Sequence, residues 1–245
     1  MEKVDEFQQQ LTSYFRELIL ATAYLQIGEQ SIYRLPADAS VSLVLAEGVT
    51  TEPMYLRELQ PHSASVSLGI AELFQTKVIA AWADLLGSLF EYFVQMHLEG
   101  RRPFPALSKR TTKVGFSDSV DLVEQVRQGL IADFAFGRYA ERIKTIAGTL
   151  TPSANTSRAL LVVRKHVAIR NSTQHHGGRV YDDMLRELST RTLDVLDHFG
   201  RPLSLQVGEP IHLYIPELDG LKSALFIITN EWREQLATYT NGSNT

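Results

Sequence analysis

Residues 169–178 read Ile-Arg-Asn-Ser-Thr-Gln-His-His-Gly-Gly, so an arginine, an asparagine and two adjacent histidines stand within two helical turns. Histidine has an ordinary pKa near neutrality, which suits it to proton transfer. Arginine stays charged and grips phosphate through paired hydrogen bonds, so it can offset negative charge that develops in a transition state. On a helix Asn171 and His175 are four residues apart and share a face. Arg170 and His175 are separated by roughly 7.5 Å of helical rise, a span that fits around one phosphodiester. The same residues also admit a structural role. Cationic side chains in the last turn of a helix interact well with its dipole, and Gly177-Gly178 is an ordinary helix stop.

Other chemistries find little support. The 245 residues include no cysteine, which excludes disulfides, thiolate metal sites and a cysteine nucleophile. His175 and His176 would point about 100° apart on a helix, and Asp182 and Asp183 add no suitably spaced partner for zinc. No metal and no cofactor are expected. Neither a Gly-x-Ser-x-Gly elbow nor a Gly-x-x-x-x-Gly-Lys-Ser/Thr phosphate loop is present. A formal net charge of -4 argues against a broadly basic nucleic-acid binder but leaves room for a local basic groove. The acidic start, MEKVDEFQQQ, does not read as a signal peptide. The most apolar run, 78–96, carries Asp84 and Glu91, whose cost in a bilayer favours a buried core helix. A soluble, cytoplasmic protein with no membrane partner is expected.

The stretch IRNSTQHHGGRV resembles the signature of the HEPN superfamily, in which an arginine and a polar residue precede a histidine after a short gap. The form Arg-Asn-x-x-x-His-x-x-Gly is matched by Arg170, Asn171, His175 and Gly178. The likeness in residues centres on 155–180; beyond it lies only an agreement of helical pattern. The resemblance implies a mainly α, HEPN-like helical bundle with minor β elements. It also implies a metal-independent endoribonuclease, acting as a homodimer, that cleaves RNA by 2′-hydroxyl attack to leave a 2′,3′-cyclic phosphate. Arg170, Asn171 and His175 are then the catalytic residues, with His176 a secondary candidate because the gap varies in the superfamily. Arg164, Lys165, His166 and Arg179 surround the motif, as contacts to the RNA backbone or simply as helix-surface charge. Such an enzyme would act as a toxin or defence effector, restrained by an antitoxin or regulatory protein. The alternative is a non-catalytic HEPN-like helical module that binds a protein partner or a nucleotide.

These groups need helices to place them. Phe7, Leu11, Phe15 and Leu18 recur at helical spacing in the first thirty residues. Pro36, Pro53 and Pro61 break the segment 31–66, where alternating Val41, Leu43 and Leu45 predict one short strand in an N-terminal elaboration. From about 67 to 98, Leu73, Trp82, Leu85, Leu86, Leu89, Phe93 and Met96 predict the central core helix. A proline-broken loop with Arg101, Arg102, Lys109, Arg110 and Lys113 follows, read as a solvated connector or a phosphate-contacting loop. The next helix is expected from Ser119, kinked or divided at Gly129 and Gly137. Ser153, Asn155 and Thr156 offer caps for the motif helix, in which Leu160, Val163 and Val167 repeat. Residues 179–200 read as another helix capped by Gly200. Leu203-Leu205-Val207 and Ile211-Leu213-Ile215 flank Gly-Glu-Pro as a hairpin. Leu221, Leu225, Ile228, Trp232 and Leu236 mark a final helix. One domain over 1–240 and a disordered tail at 241–245 complete the expectation.

Overall fold

The computed structural model describes residues 1–59, 62–113, 115 and 121–241. Helix α1, Glu2–Ile32, buries Val4, Phe7, Leu11, Phe15 and Leu18, the stripe its periodicity predicts. Beyond Leu18 no residue of α1 is buried, and Ile19, Leu20, Tyr24 and Ile27 stand exposed. Helix α3, Ser63–Leu98, runs antiparallel to α1: Phe7 meets Trp82 and Phe15 meets Phe74, with ring centroids 5.8 and 4.9 Å apart. Trp82, Leu85, Leu86, Leu89, Phe93 and Met96 are buried, whereas Leu73, expected on the same face, is 73% exposed. Leu73 borders a shallow groove beside Leu18 and Ala21, where α1 stops covering α3.

Helix α8, Ile215–Asn241, closes the core with the expected stripe of Leu221, Leu225, Ile228, Trp232 and Leu236. It lies antiparallel to α1, since Gln8 donates to Thr229 and Asn230 at 2.8 Å each and Arg233 meets Asp5 at 3.1 Å. Trp232 stacks on Trp82 with centroids 5.3 Å apart. Helix α6, Ala154–His175, lies against α8 in the opposite direction. Its cap Ser153 accepts from the Thr156 amide, and Thr156 donates to Glu231 at 2.6 Å. Helices α4, Leu122–Phe136, and α5, Tyr139–Ala147, flank α3. Phe134 stacks on Phe90 with centroids 4.0 Å apart. Gly137 separates α4 from α5, while Gly129 is accommodated inside α4 without a break. Ser119, the expected start of that helix, lies outside the described residues, and Asp121 is the cap that accepts from the Val123 amide. Buried side chains of α1, α3, α4, α5, α6 and α8 join one continuous cluster.

Two segments differ from the expectation. Residues 31–66 hold four short strands: β1, Ser40–Val41; β2, Val44–Ala46; β3, Val49–Thr50; and β4, Met54–Tyr55. They pair antiparallel as β1–β4 and β2–β3, and a four-residue helix α2, Leu56–Leu59, follows. The chain reverses at Gly48, whose φ of 76° a glycine adopts without strain, so the segment folds on itself and leaves Leu43 and Leu45 exposed.

The second difference lies past the motif. Helix α7, Asp182–Leu188, ends at left-handed Ser189, and β5, Leu193–Leu196, replaces the rest of the expected helix. Gly200 sits in the β5–β6 turn rather than at a helix end. There the Asp197 carboxylate accepts from the Phe199 and Arg201 amides. Strand β6, Pro202–Leu205, pairs back with β5, from Leu193 with Leu205 to Leu196 with Pro202. The expected hairpin between 203–207 and 211–215 therefore does not form. Its second run buries Ile211 and Leu213 but follows Gly178–Val180 instead, with Ile211 N–H donating to the Gly178 carbonyl at 2.8 Å.

Asn241 ends α8, and the rest of the expected tail lies outside the described residues. Among the described residues no helix is long and apolar enough to cross a membrane. The Trp82–Trp232 stack predicts that Trp232→Ala lowers unfolding stability by about 3–5 kcal/mol. Urea denaturation checks this; a loss below about 1 kcal/mol would remove the stack from the core.

Candidate functional site

Helix α6 reaches the motif with Val163, Val167, Ala168 and Ile169 buried, which turns Arg170 and Asn171 to its half-buried side. Its end is tied by Ser172, which is fully buried. The Ser172 carbonyl accepts from the amides of His176 at 2.8 Å and Gly178 at 3.1 Å, and its hydroxyl donates to the Arg179 carbonyl at 2.6 Å. Gly177 and Gly178 have φ of 60° and 67°. Two consecutive left-handed residues cost little only when both are glycine, so the pair stops α6 at a defined place. The Val180 amide then donates to the Glu209 carbonyl and the Gly208 amide to the Val180 carbonyl, at 3.0 and 2.8 Å.

Arg170 and Asn171 line one pocket of about 260 Å³ between α3, α5 and α6, together with Ile79, Ala83, Tyr139 and Arg142. The Nε of Arg170 is buried with no hydrogen-bond partner, and among the described residues no carboxylate pairs with its guanidinium. His175 stands exposed one turn beyond Asn171 and is not part of the pocket wall. His176 stacks on Tyr181 with ring centroids 3.8 Å apart, so the two neighbouring histidines are held differently.

The surrounding cations have bonds within the fold. Arg164 donates to the Glu187 carbonyl, Lys165 to the Asp194 carbonyl at 3.0 Å and Arg179 to the Gly208 carbonyl at 2.7 Å. The loop after α3 is likewise anchored. Arg102 reaches the Tyr239 carbonyl and lies over that ring at 4.0 Å, and Arg110 bonds Asp133 above the Phe90 and Phe134 rings.

A buried polar cluster sits one turn before the motif. His166 and Glu217 are almost completely buried, and Lys165 Nζ lies 2.5 Å from Glu217 Oε1. Gln75 donates to His166 Nδ1 and to the His166 carbonyl, each at 3.0 Å. Nδ1 is thus the acceptor, and the ring proton sits on Nε2, 3.1 Å from Glu217 Oε1. That N–H is poorly aligned with the carboxylate, so the contact is mainly electrostatic. The other Glu217 oxygen accepts from the Leu196 amide at 2.8 Å. Burial pushes the Glu217 carboxyl up, but His166 and Lys165 outweigh it and hold it at about 2. Burial likewise holds His166 below its ordinary value, against the pull of Glu217. His166, read from the sequence as an RNA contact or surface charge, is enclosed instead. Its three-residue spacing from buried Val163 and Ile169 was the available signal. Glu217, at the start of α8, offered none.

Among the described residues, no group of three or more His, Cys, Asp or Glu could hold a metal ion. Compared with protein-family models, curated proteins and solved structures, the chain matches none. Fold and site define a mainly helical protein with minor β-hairpins, in which an Arg-Asn-His helix end is closed by a double-glycine turn.

The buried cluster predicts acid sensitivity. With the folded pKa of His166 lowered, its contribution is complete above about pH 6.5 and is lost as the pH falls below that value. Glu217 contributes fully above about pH 4.5, and that share is lost as the pH falls towards 2. Glu217→Gln should cost about 3 kcal/mol at neutral pH and flatten the lower part of this acid limb. Urea titrations from about pH 7.5 down to about pH 2 measure both.

Proposed function

We propose that this protein is a metal-independent endoribonuclease of the HEPN type. The observation that carries the reading is the state of Arg170. It lines a pocket beside Asn171 with no carboxylate or hydrogen-bond partner among the described residues, one turn from an exposed His175. A helix-capping arginine would be spent on carbonyls or solvent. Here the terminal guanidinium nitrogens have no such bond among the described residues and are not enclosed, so they are available to an anion.

In this reading the RNA 2′-oxygen attacks the adjacent phosphorus while a histidine removes its proton. The phosphorus–5′-oxygen bond breaks, the leaving oxygen is protonated, and a 2′,3′-cyclic phosphate remains. Arg170 offsets charge on the pentavalent phosphorus, Asn171 orients a reacting group, and His175 serves as base or acid. The reaction needs both a base and an acid, and a two-fold pair of chains supplies two copies of His175. His176, stacked on Tyr181, is the secondary source.

A homodimer is supported by the apolar surface of α1, the segment 31–66 and the start of α3. Tyr24, Ile27, Tyr33, Val44, Leu45 and Leu73 are all more than half exposed. The second reading, a non-catalytic helical module that holds a protein partner or nucleotide, draws on the same surface. A toxin or defence role with a restraining antitoxin belongs to the catalytic reading.

Purified protein should cleave single-stranded RNA in EDTA and leave cyclic phosphate ends. Arg170→Ala and His175→Ala should each lower the rate by about 100-fold or more. Undiminished cleavage in both variants would remove Arg170 and His175 from the reaction, and no cleavage by the wild type would sink the enzyme and favour the binding module. Sedimentation should show a dimer that Tyr24→Glu with Leu45→Glu converts to monomer; a wild-type monomer at every concentration removes the dimer.

A further inference from the structure

The pocket that holds Arg170 and Asn171 contains a second arginine, which lies outside the motif. Arg142 of α5 donates through Nη2 to the Ala83 carbonyl at 2.7 Å and lies over the Phe134 ring, 5.0 Å from its centroid. These contacts fix its position, yet its Nε is buried without a partner, as is that of Arg170. Asp84 lies within electrostatic reach of Arg142 but forms no ion pair with it among the described residues. Two guanidinium groups with no paired carboxylate therefore share one pocket wall. An anion bound in the pocket would have both charges within its wall.

Two neutral groups complete the wall. Tyr139 lines the pocket, while its hydroxyl accepts from the Nε1 of fully buried Trp82. Burial raises the Tyr139 pKa, so the phenol stays protonated. The Asn171 side chain adds an amide without a partner among the described residues. Two guanidiniums and an amide match a tetrahedral oxyanion of double charge better than a carboxylate, which offers two oxygens and one charge. The volume, about 260 Å³, exceeds that of a bare phosphate and leaves room for part of an attached sugar.

We infer that this pocket is a phosphate-binding site in which Arg142 is a second cationic ligand beside Arg170. Its role in cleavage, holding the scissile or a neighbouring phosphate, rests on the ribonuclease reading; its affinity for phosphate does not.

The test is calorimetric titration of the full chain with inorganic phosphate at low ionic strength, with acetate as the control anion. Phosphate should bind at a single saturable site and acetate should not. Arg142→Gln and Arg170→Gln should each weaken binding by about tenfold or more, with Arg142→Lys in between. Arg142→Gln loses the bond to Ala83 and can unfold the chain. Arg170→Gln removes no bond seen within the described residues, so its result stands even then. No saturable phosphate binding by the wild type, or unchanged affinity in Arg170→Gln, overturns the site. Phosphate binding without RNA cleavage defeats the ribonuclease reading alone. Unchanged phosphate affinity in a folded Arg142→Gln overturns Arg142 as a ligand, and unchanged kcat and KM there remove its role in cleavage, both leaving the ribonuclease reading intact.

Discussion

A carboxylate taken out of water must be met by charge and hydrogen bonds on every side, and Glu217 imposes that constraint here. One oxygen contacts Lys165 and His166 of α6, and the other accepts the Leu196 amide of β5. Gln75 extends the cluster to α3 by holding the His166 ring and carbonyl. Four elements are thereby set in one mutual arrangement. Apolar packing alone tolerates small slides of one helix along another, whereas a buried ion cluster does not. The cluster lies one turn before Arg170, so it also sets the rotation of α6 that turns Arg170 and Asn171 towards the pocket.

The other end of the motif is controlled by backbone geometry. Buried Ser172 gathers the turn onto its own carbonyl and hydroxyl, and two left-handed glycines let the chain leave the helix at once. Pairing of Gly178–Val180 with the segment 208–211 then holds the exit strand. The serine stands inside the motif, but its bonds are architectural. His175 is consequently the last residue of α6, exposed beyond a rigid turn. The same economy appears in Arg164, Lys165 and Arg179, whose charges sit near the motif while their donors serve backbone carbonyls.

Much of the helical frame was legible in residue order. The stripes of α1, α3 and α8 repeat every three or four residues with large apolar side chains, and such a pattern has one economical use, a helix with a buried face. The β elements were harder to read. Alternation at 203–207 and 211–215 suggested partners for each other, but strand pairing is settled by which edges meet. β6 found β5, whereas 211 found the backbone after the glycines. The helix expected through 200 failed because Ser189 turns left-handed, and Thr190 and Thr192, with branched side chains, favour extended chain beyond it. Leu73 kept the spacing of a core residue, yet no element covers it.

For the site, residue order by itself set Asn171 and His175 one turn apart on α6, because a helix puts residues four apart on one face without help from the rest of the chain. It also determined where α6 stops, since consecutive glycines are the residues that adopt left-handed backbone without strain. Only the tertiary structure decided which of these groups remain unpaired. Arg142, 28 positions before Arg170 in the chain, joins the same pocket because α5 and α6 both pack on α3. His166 is enclosed by Gln75 and Glu217, which come from helices far away in sequence. Partners supplied by distant segments carry no local pattern, so the fate of a charged side chain is settled when the helices dock.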